Sequence, residues 1–349
     1  MTNNKRTEIA ELGEFGLIEH LVGNVKPANS STIYGIGDDA AVLDYQEKEV
    51  LVTTDMLMEG VHFDLTYFPL KHLGYKAAMV NISDIYAMNG TPKQMTVSVA
   101  LSKRFCVEDM EDFYAGLQLA CQKHGVDLVG GDTTSSLTGL AISITCIGEC
   151  EKGKAIYRKG AGQNDLICVS GNLGAAYMGL QLLEREKAVF NSTEQDSNTP
   201  FAPDFSGKEY LLERQLKPEA RKDIIEELKR AGVTPTSMID ISDGLSSELL
   251  HLCKQSGTGC SVFQERIPID YQTALAAEEF NMDVYTCALN GGEDYELLFT
   301  VPLTEHDKII QMKDVKLIGH MTRPELGTHL LTKSGQEIEL KAQGWSSNL

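Results

Sequence analysis

The chain lacks the compact signatures by which nucleotide-binding proteins are usually found. It has no GxxxxGK[ST] loop, no kinase HRD or DFG set, and no GxGxxG after an apolar run. A nucleotide site here would have to rest on carboxylates and metal rather than on a lysine cradle. No apolar run approaches the roughly 20 residues that span a bilayer. The start, MTNNKRTEIAELGEFG, has no apolar core of the kind a secretory signal needs. Positive charge is scarce: 31 Lys and Arg stand against 50 Asp and Glu, a net charge of −19. That balance argues against nucleic acid or an anionic membrane as partner, since both call for a basic face. The 8 cysteines have no metal-type spacing. Cys146 and Cys150 are close, but no second Cys or His pair follows them. Reduced thiols in a cytoplasmic protein are the expectation.

What the chain does have is length and apolar content enough for a folded protein of two domains: 349 residues, 42% of them hydrophobic. A polar turn over 149–154 suggests the division, with domains expected at 1–149 and 150–349. Helices are predicted over 8–22, 73–88, 107–124, 174–183, 220–231 and 245–256 from apolar spacing and stop signals such as Gly125. Strands are predicted over 49–54, 94–101, 127–129, 140–148, 165–170, 237–241 and 295–302. The polar stretch 191–208 reads as a surface loop. The fold class is α/β or α+β, with strands feeding loops of acid and glycine.

Those loops carry the chemistry. GIGDD (Gly35–Asp39), TTD (Thr53–Asp55), ISD (Ile82–Asp84), GGDT (Gly130–Thr133), IDISDG (Ile239–Gly244) and NGGEDYE (Asn290–Glu296) are spread along the chain. Most sit where an apolar run meets a Gly or Ser turn. Carboxylates gathered at strand ends suit Mg²⁺, which demands oxygen ligands and usually accompanies nucleotide phosphate. Taken singly, each motif equally suits a turn or a helix cap. Asp84 is the exception in kind, because an acid within an otherwise apolar helix is costly unless paired or metal-bound. Asp240 and Asp243 flank Ser242 just before a helix whose first N–H groups suit anions. Arg158 offers a fork for phosphate oxygens. His62 could be a substrate contact or a structural histidine.

In this order, GEFGLI, GIGDDAAVL, TTDMLMEGVHF, GYKAAMVNISDIYAMNGTPK, LVGGDTT, RKGAGQNDLICVSGNLG, MIDISDGLSSEL and NGGEDYELLFTV resemble the thiamine-monophosphate kinase family. The resemblance runs from about Gly13 to the final GWSSNL. The wider superfamily includes aminoimidazole ribonucleotide synthetases, selenophosphate synthetases and hydrogenase-maturation factors. GEDYEL with GIGDD and VTTD points to the thiamine branch.

The resemblance implies a two-domain fold like that of aminoimidazole ribonucleotide synthetase. Its N-terminal domains pair across a homodimer into a shared β-barrel, with ATP and its metals in a groove between the two halves. It implies direct transfer of the γ-phosphoryl group of ATP to thiamine phosphate, without a phosphoenzyme or catalytic side chain, assisted by several Mg²⁺ ions. By motif, Asp38, Asp39, Thr53, Thr54, Asp55, Asp84, Asp132, Asp240 and Asp243 correspond to metal-site residues. Tyr114, Gly131, Asp132, Arg158 and Ser242 correspond to ATP contacts. His62, Glu293 and Trp345 correspond to contacts with the thiamine moiety. Trp345 is the only tryptophan; after it the chain reads Ser-Ser-Asn-Leu where the family often has an aromatic or His-Phe pair.

Two other readings compete. One is another enzyme of the superfamily, but no reactive Cys lies near a Gly-rich N-terminal segment, as it does in selenophosphate synthetases. The other is a non-catalytic scaffold or maturation partner, against which the intact acids speak.

Overall fold

A computed structural model of the chain describes residues 20–34, 42–45, 48–192 and 205–342. Asp38, Asp39, Trp345, nearly all of the helix expected over 8–22 and most of the 191–208 stretch lie outside these residues. The chain divides into two compact units, Met1–Ala155 and Ile156–Leu349.

In the first unit, β1 (Thr32–Tyr34) pairs with β2 (Val42–Leu43). A separate sheet holds β3 (Lys48–Met58), β4 (Thr91–Leu101), β5 (Asp127–Ser135) and β6 (Ala141–Glu151), in the order β3-β6-β4-β5. The β4–β5 pair is parallel and the other two pairs are antiparallel. Helix α1 (Leu70–Ala87) lies against β3, β6 and β4, and α2 (Val107–His124) lies against α1. The two helices cross at glycines. A Cβ on Gly74 would stand 1.9 Å from the Phe113 carbonyl oxygen, and one on Gly116 would stand 1.7 Å from that of Lys71. Only glycine permits such an approach. The end of α2 is set by Gly125, whose φ of +69° is the left-handed cap that glycine favours.

Among the described residues, helices cover one face of this sheet. Along β3 the side chains alternate, with Leu51 and Leu57 buried and Val50, Val52, Met56 and Met58 exposed. Val52 and Met56 are 66% and 61% exposed, which leaves an apolar stripe on the uncovered face. Among the described residues this sheet is open, with β3 and β5 at its edges, and does not close into a barrel.

The second unit is built on seven strands: β7 (Leu166–Ser170), β8 (Ser237–Asp240), β9 (Gly259–Phe263), β10 (Leu297–Val301), β11 (Val315–Thr322), β12 (Thr328–Leu331) and β13 (Glu337–Glu339). Their order is β13-β12-β9-β11-β7-β10-β8, antiparallel except for β9 with β12. Around it run α3 (Ala175–Ser192), α4 (Glu209–Leu216), α5 (Lys222–Ala231), α6 (Leu245–Ser256), α7 (Tyr271–Glu279) and α8 (Val284–Asn290). Ile167, Val169, Leu249, Val262, Leu298 and Ile318 form the centre of its main core. All 8 cysteines are buried and unbridged. No described helix is long and apolar enough to cross a membrane.

Two expected loops are strands. β3 continues past the expected end at Thr54 to Met58, so all of TTD lies inside it. β5 continues to Ser135, so GGDTT is strand as well. Pairing explains both: β6 hydrogen-bonds β3 from Lys48 to Met58, and β4 carries β5 to Ser135.

Candidate functional site

The first cluster follows from the alternation in β3. Thr53 and Asp55 point to the helix-covered face, where α1 presents Asp84. The Thr53 hydroxyl donates a hydrogen bond to the Asp84 carboxylate. Asp55 Oδ2 is buried and accepts no hydrogen bond. Burial, and next to it the Asp84 charge, push the Asp55 carboxyl up to about 6. A divalent cation held by hard oxygens would relieve both effects.

Thr54 points the other way. Its hydroxyl donates to the Ile144 carbonyl at 3.0 Å and lies 3.1 Å from the Thr145 hydroxyl. His62 follows β3, and its Nδ1 accepts the Met58 N–H at 3.0 Å, so the neutral ring carries its proton on Nε2.

Asp132 is not brought to Asp55 and Asp84. Register aligns Asp132 with Ser98, Ser98 with Ser143, and Ser143 with Met56. Asp132 is therefore three strand spacings from β3, about 14 Å, at the opposite edge of the sheet. It is exposed, as is Gly131, where an added Cβ would stand 2.0 Å from the Val97 carbonyl oxygen. Tyr114 is a packing residue of α2: its ring meets Phe113 edge-on, and burial pushes its phenol up to about 12. Among the described residues no group of three or more His, Cys, Asp or Glu stands ready to hold a metal. Asp55 and Asp84 with the Thr53 hydroxyl are instead a pair of carboxylates plus a neutral oxygen. That is what Mg²⁺ commonly takes from a protein when phosphate and water supply the rest.

The second cluster lies in the other unit. β8 ends at Asp240, which is 4% exposed and aligned with Leu297 of β10. The chain then turns through Ser242 and Asp243, whose side chains are exposed, into α6. This turn is laced to the NGGEDYE segment by backbone hydrogen bonds. Glu293 N–H donates to Ser242 O (2.7 Å), Tyr295 N–H to Ile241 O (2.9 Å), and Ile241 N–H to Glu296 O (2.8 Å). Glu293 and Tyr295 sit at φ of +58° and +52°, a conformation side chains seldom adopt. The Glu293 carboxylate is half-buried and accepts a 3.0 Å bond from Gln215 Nε2 on α4. Arg158 is exposed near the start of this unit.

Of the three acids in NGGEDYE, Asp294 and Glu296 turn inward, each 1% exposed. Glu296 is gripped by Arg221 and by Arg214 Nη1 at 2.8 Å, and it accepts the Ser170 hydroxyl at 2.5 Å. Asp294 accepts the Gly174 N–H at 2.8 Å; burial pushes its carboxyl up to about 6 although Arg214 opposes the shift. These two are the structural acids of the motif.

A family model for the AIR synthase related protein, N-terminal domain, matches residues 37–150. Thiamine-monophosphate kinase of Aquifex aeolicus (strain VF5) is 35% identical over 337 residues, covering 97% of this chain and 98% of its own. The chain belongs to the thiamine-monophosphate kinase family. Among solved structures, AaThiL complexed with AMPPCP and TMP is 32% identical, with a TM-score of 0.73, 99% of this chain covered and 100% of that one. The thiamine-monophosphate kinase from Stenotrophomonas maltophilia K279a is 29% identical, with a TM-score of 0.75 and coverage of 90% and 93%.

Set against the family motifs, the structure adds supporting residues that the sequence did not single out. Arg214 and Arg221 come from polar helix-rich stretches without a motif. Glu248 lies within the family segment MIDISDGLSSEL but reads as an ordinary helix acid. Its carboxylate Oε1 accepts the Asp243 N–H at 3.0 Å, and burial pushes its carboxyl up to about 8. An acid four residues into a helix, after a Gly cap, was the available signal.

Proposed function

We propose that this protein phosphorylates thiamine phosphate with ATP, giving thiamine diphosphate and ADP. The observation that carries the reading is its kinship, over 99% of its length, to a kinase complexed with AMPPCP and TMP. The acid clusters supply the means. Donor and acceptor are both anionic, so bringing them into line is the main obstacle. Mg²⁺ bound at these carboxylates would neutralise phosphate charge and hold the reacting groups in line.

Asp55, Asp84 and Thr53 are the residues best arranged to hold such an ion, with Asp38, Asp39, Thr54, Asp132, Asp240 and Asp243 as further candidates. Gly131, Arg158 and Ser242 are assigned to ATP. His62, Glu293 and Trp345 are assigned to the thiamine moiety. Tyr114 is left as packing. The acceptor is a phosphate oxygen already ionised at neutral pH, so no side chain needs to remove a proton. His62 Nδ1 is held by the Met58 N–H.

The working form in this reading is a cytoplasmic homodimer. The apolar stripe Val50, Val52, Met56 and Met58 is the face a second copy would cover. Pairing of the β3 and β5 edges between copies would also bring Asp132 of one chain toward the β3 acids of the other. The test is purified protein with ATP, Mg²⁺ and thiamine phosphate, followed by chromatography. Thiamine diphosphate that disappears when EDTA is added is the expected product. ATP hydrolysis without it contradicts the reading.

A further inference from the structure

One peptide group in the second unit is pinned at both ends. The Ser242–Asp243 peptide accepts, at its carbonyl, the Glu293 N–H at 2.7 Å. It donates, at its N–H, to Glu248 Oε1 at 3.0 Å. Glu248 also accepts the Ser242 hydroxyl at 3.5 Å. Glu248 is 2% exposed, whereas the side chains of Ser242 and Asp243 face solvent. The buried acid thus lies beneath a turn whose residues Ser242 and Asp243 are exposed.

The rest of the turn has little room to shift. Gly244 holds φ at +116°, and a Cβ there would stand 2.7 Å from the Leu289 carbonyl oxygen. A Cβ on Gly292 would stand 2.5 Å from the Ser242 carbonyl oxygen. Side chain, glycine packing and backbone lacing therefore converge on the orientation of a single peptide plane. A rotation of that plane would swing Ser242 and Asp243 together, and would pull on Glu293 through the same carbonyl.

We propose that Glu248 is a positioning residue. By holding the Ser242–Asp243 peptide it fixes the direction in which Ser242 and Asp243 meet the metal-bound nucleotide, in register with Glu293. It touches neither substrate nor metal. The inference rests on the functional reading above, which assigns those three residues to nucleotide, metal and thiamine phosphate.

Reach, not charge, is what this role requires. Glu248→Gln keeps an acceptor oxygen at the same distance from the backbone. Glu248→Asp keeps the carboxyl group but is one methylene short. Glu248→Ala removes both. Full-length wild type and the three variants are titrated calorimetrically with AMPPCP in excess Mg²⁺, and each is melted thermally. Glu248→Ala and Glu248→Asp are expected to bind Mg·AMPPCP about tenfold or more weakly, since a misplacement of about 1 Å can cost far more. Glu248→Gln is expected to bind within about threefold of wild type, on the same reach argument.

A residue that merely caps α6 would lower the melting temperature and leave Mg·AMPPCP affinity alone, and that result overturns the proposal. So does an Asp variant that binds better than the Gln variant, because the carboxyl group rather than its reach would then be what matters. If the Ala variant does not fold, the Asp and Gln pair still decides. Wild type that binds Mg·AMPPCP while the Asp and Ala variants match it overturns this inference alone. Wild type that binds no Mg·AMPPCP overturns the functional reading and this inference with it.

Discussion

The hydroxyl of Thr53 donates to the carboxylate of Asp84, joining the third strand to the first helix at a point where Asp55 already faces the same acid. The two carboxylates repel one another while the hydroxyl steadies Asp84, and a cation between them would offset the repulsion. Asp84 lies among buried neighbours, Ile82, Ser83 and Ile85, and the metal reading is tested through it.

Replacing Asp84 by Asn keeps the size and removes the charge. The loss of a metal ligand is expected to cost on the order of 4 kcal/mol in the transition state, about three decades in turnover. Melting temperature should hold or rise, because one source of repulsion on Asp55 is gone. Steady-state rates at saturating Mg²⁺, with a thermal melt on the same sample, check both halves. Near-normal turnover would remove Asp84 from the metal site.

The open face of the four-stranded sheet leads to an assembly prediction. Val52 is 66% exposed in the middle of an apolar stripe. Wild type is expected to elute as a dimer on sizing, and Val52→Lys as a monomer, because a buried unpaired charge is costly. A wild-type monomer, or a Lys variant that still dimerises with unchanged affinity, would show that this face is not the interface.

Arg221 reaches Glu296, Asp223 and Asp314, and Glu296 is 1% exposed. Removing one partner of a buried pair leaves charge uncompensated, typically at about 3–5 kcal/mol. Arg214 stays at 2.8 Å from Glu296 and will soften the loss. Arg221→Ala is therefore expected at about 3 kcal/mol of destabilisation in urea unfolding. A change below about 1 kcal/mol, the range of exposed pairs, would mean that this pair behaves as a surface one.

Asp294 supplies a pH dependence. Its folded carboxyl is raised from the ordinary value to about 6, first by burial, so the native state holds its proton more tightly than the unfolded chain. Its contribution to stability is fully present below the unfolded value near 4 and is lost as pH rises through about 6. Asp294→Asn, which cannot ionise, should remove that decline. Unfolding free energies of both proteins between pH 4 and 7 are expected to diverge with rising pH, wild type falling relative to Asn. Parallel curves would contradict the assignment.

The sequence made some of this legible and not the rest, for physical reasons. The α2 bounds 107–124 were readable because Gly125 supplies a left-handed cap, a local signal. The second helix of that quality, α6 at 245–256, ends at Gly257 in the same way. The chain after Thr54 and GGDTT looked like turns because Asp and Gly favour them; they are strands because β6 and β4 pair with them along their length. Asp84 could be singled out because an acid in an apolar helix needs a reason. Gln215, Arg214 and Arg221 could not, since Glu293 and Glu296, on which they act, are brought near only by the fold, whereas Glu248 has its partner five residues away and offered a local signal that went unread. Likewise Asp132 was expected beside the other acids, yet register places it at the far edge of the same sheet.

The most direct test of the central claim follows the transferred phosphoryl group. ATP labelled at the γ-position is mixed with the enzyme, Mg²⁺ and thiamine phosphate, and label is tracked in product, protein and inorganic phosphate. The account predicts one label in thiamine diphosphate for each ADP formed, none on the protein, and no transfer without Mg²⁺. Label released as inorganic phosphate, or retained on the protein chain, would contradict it.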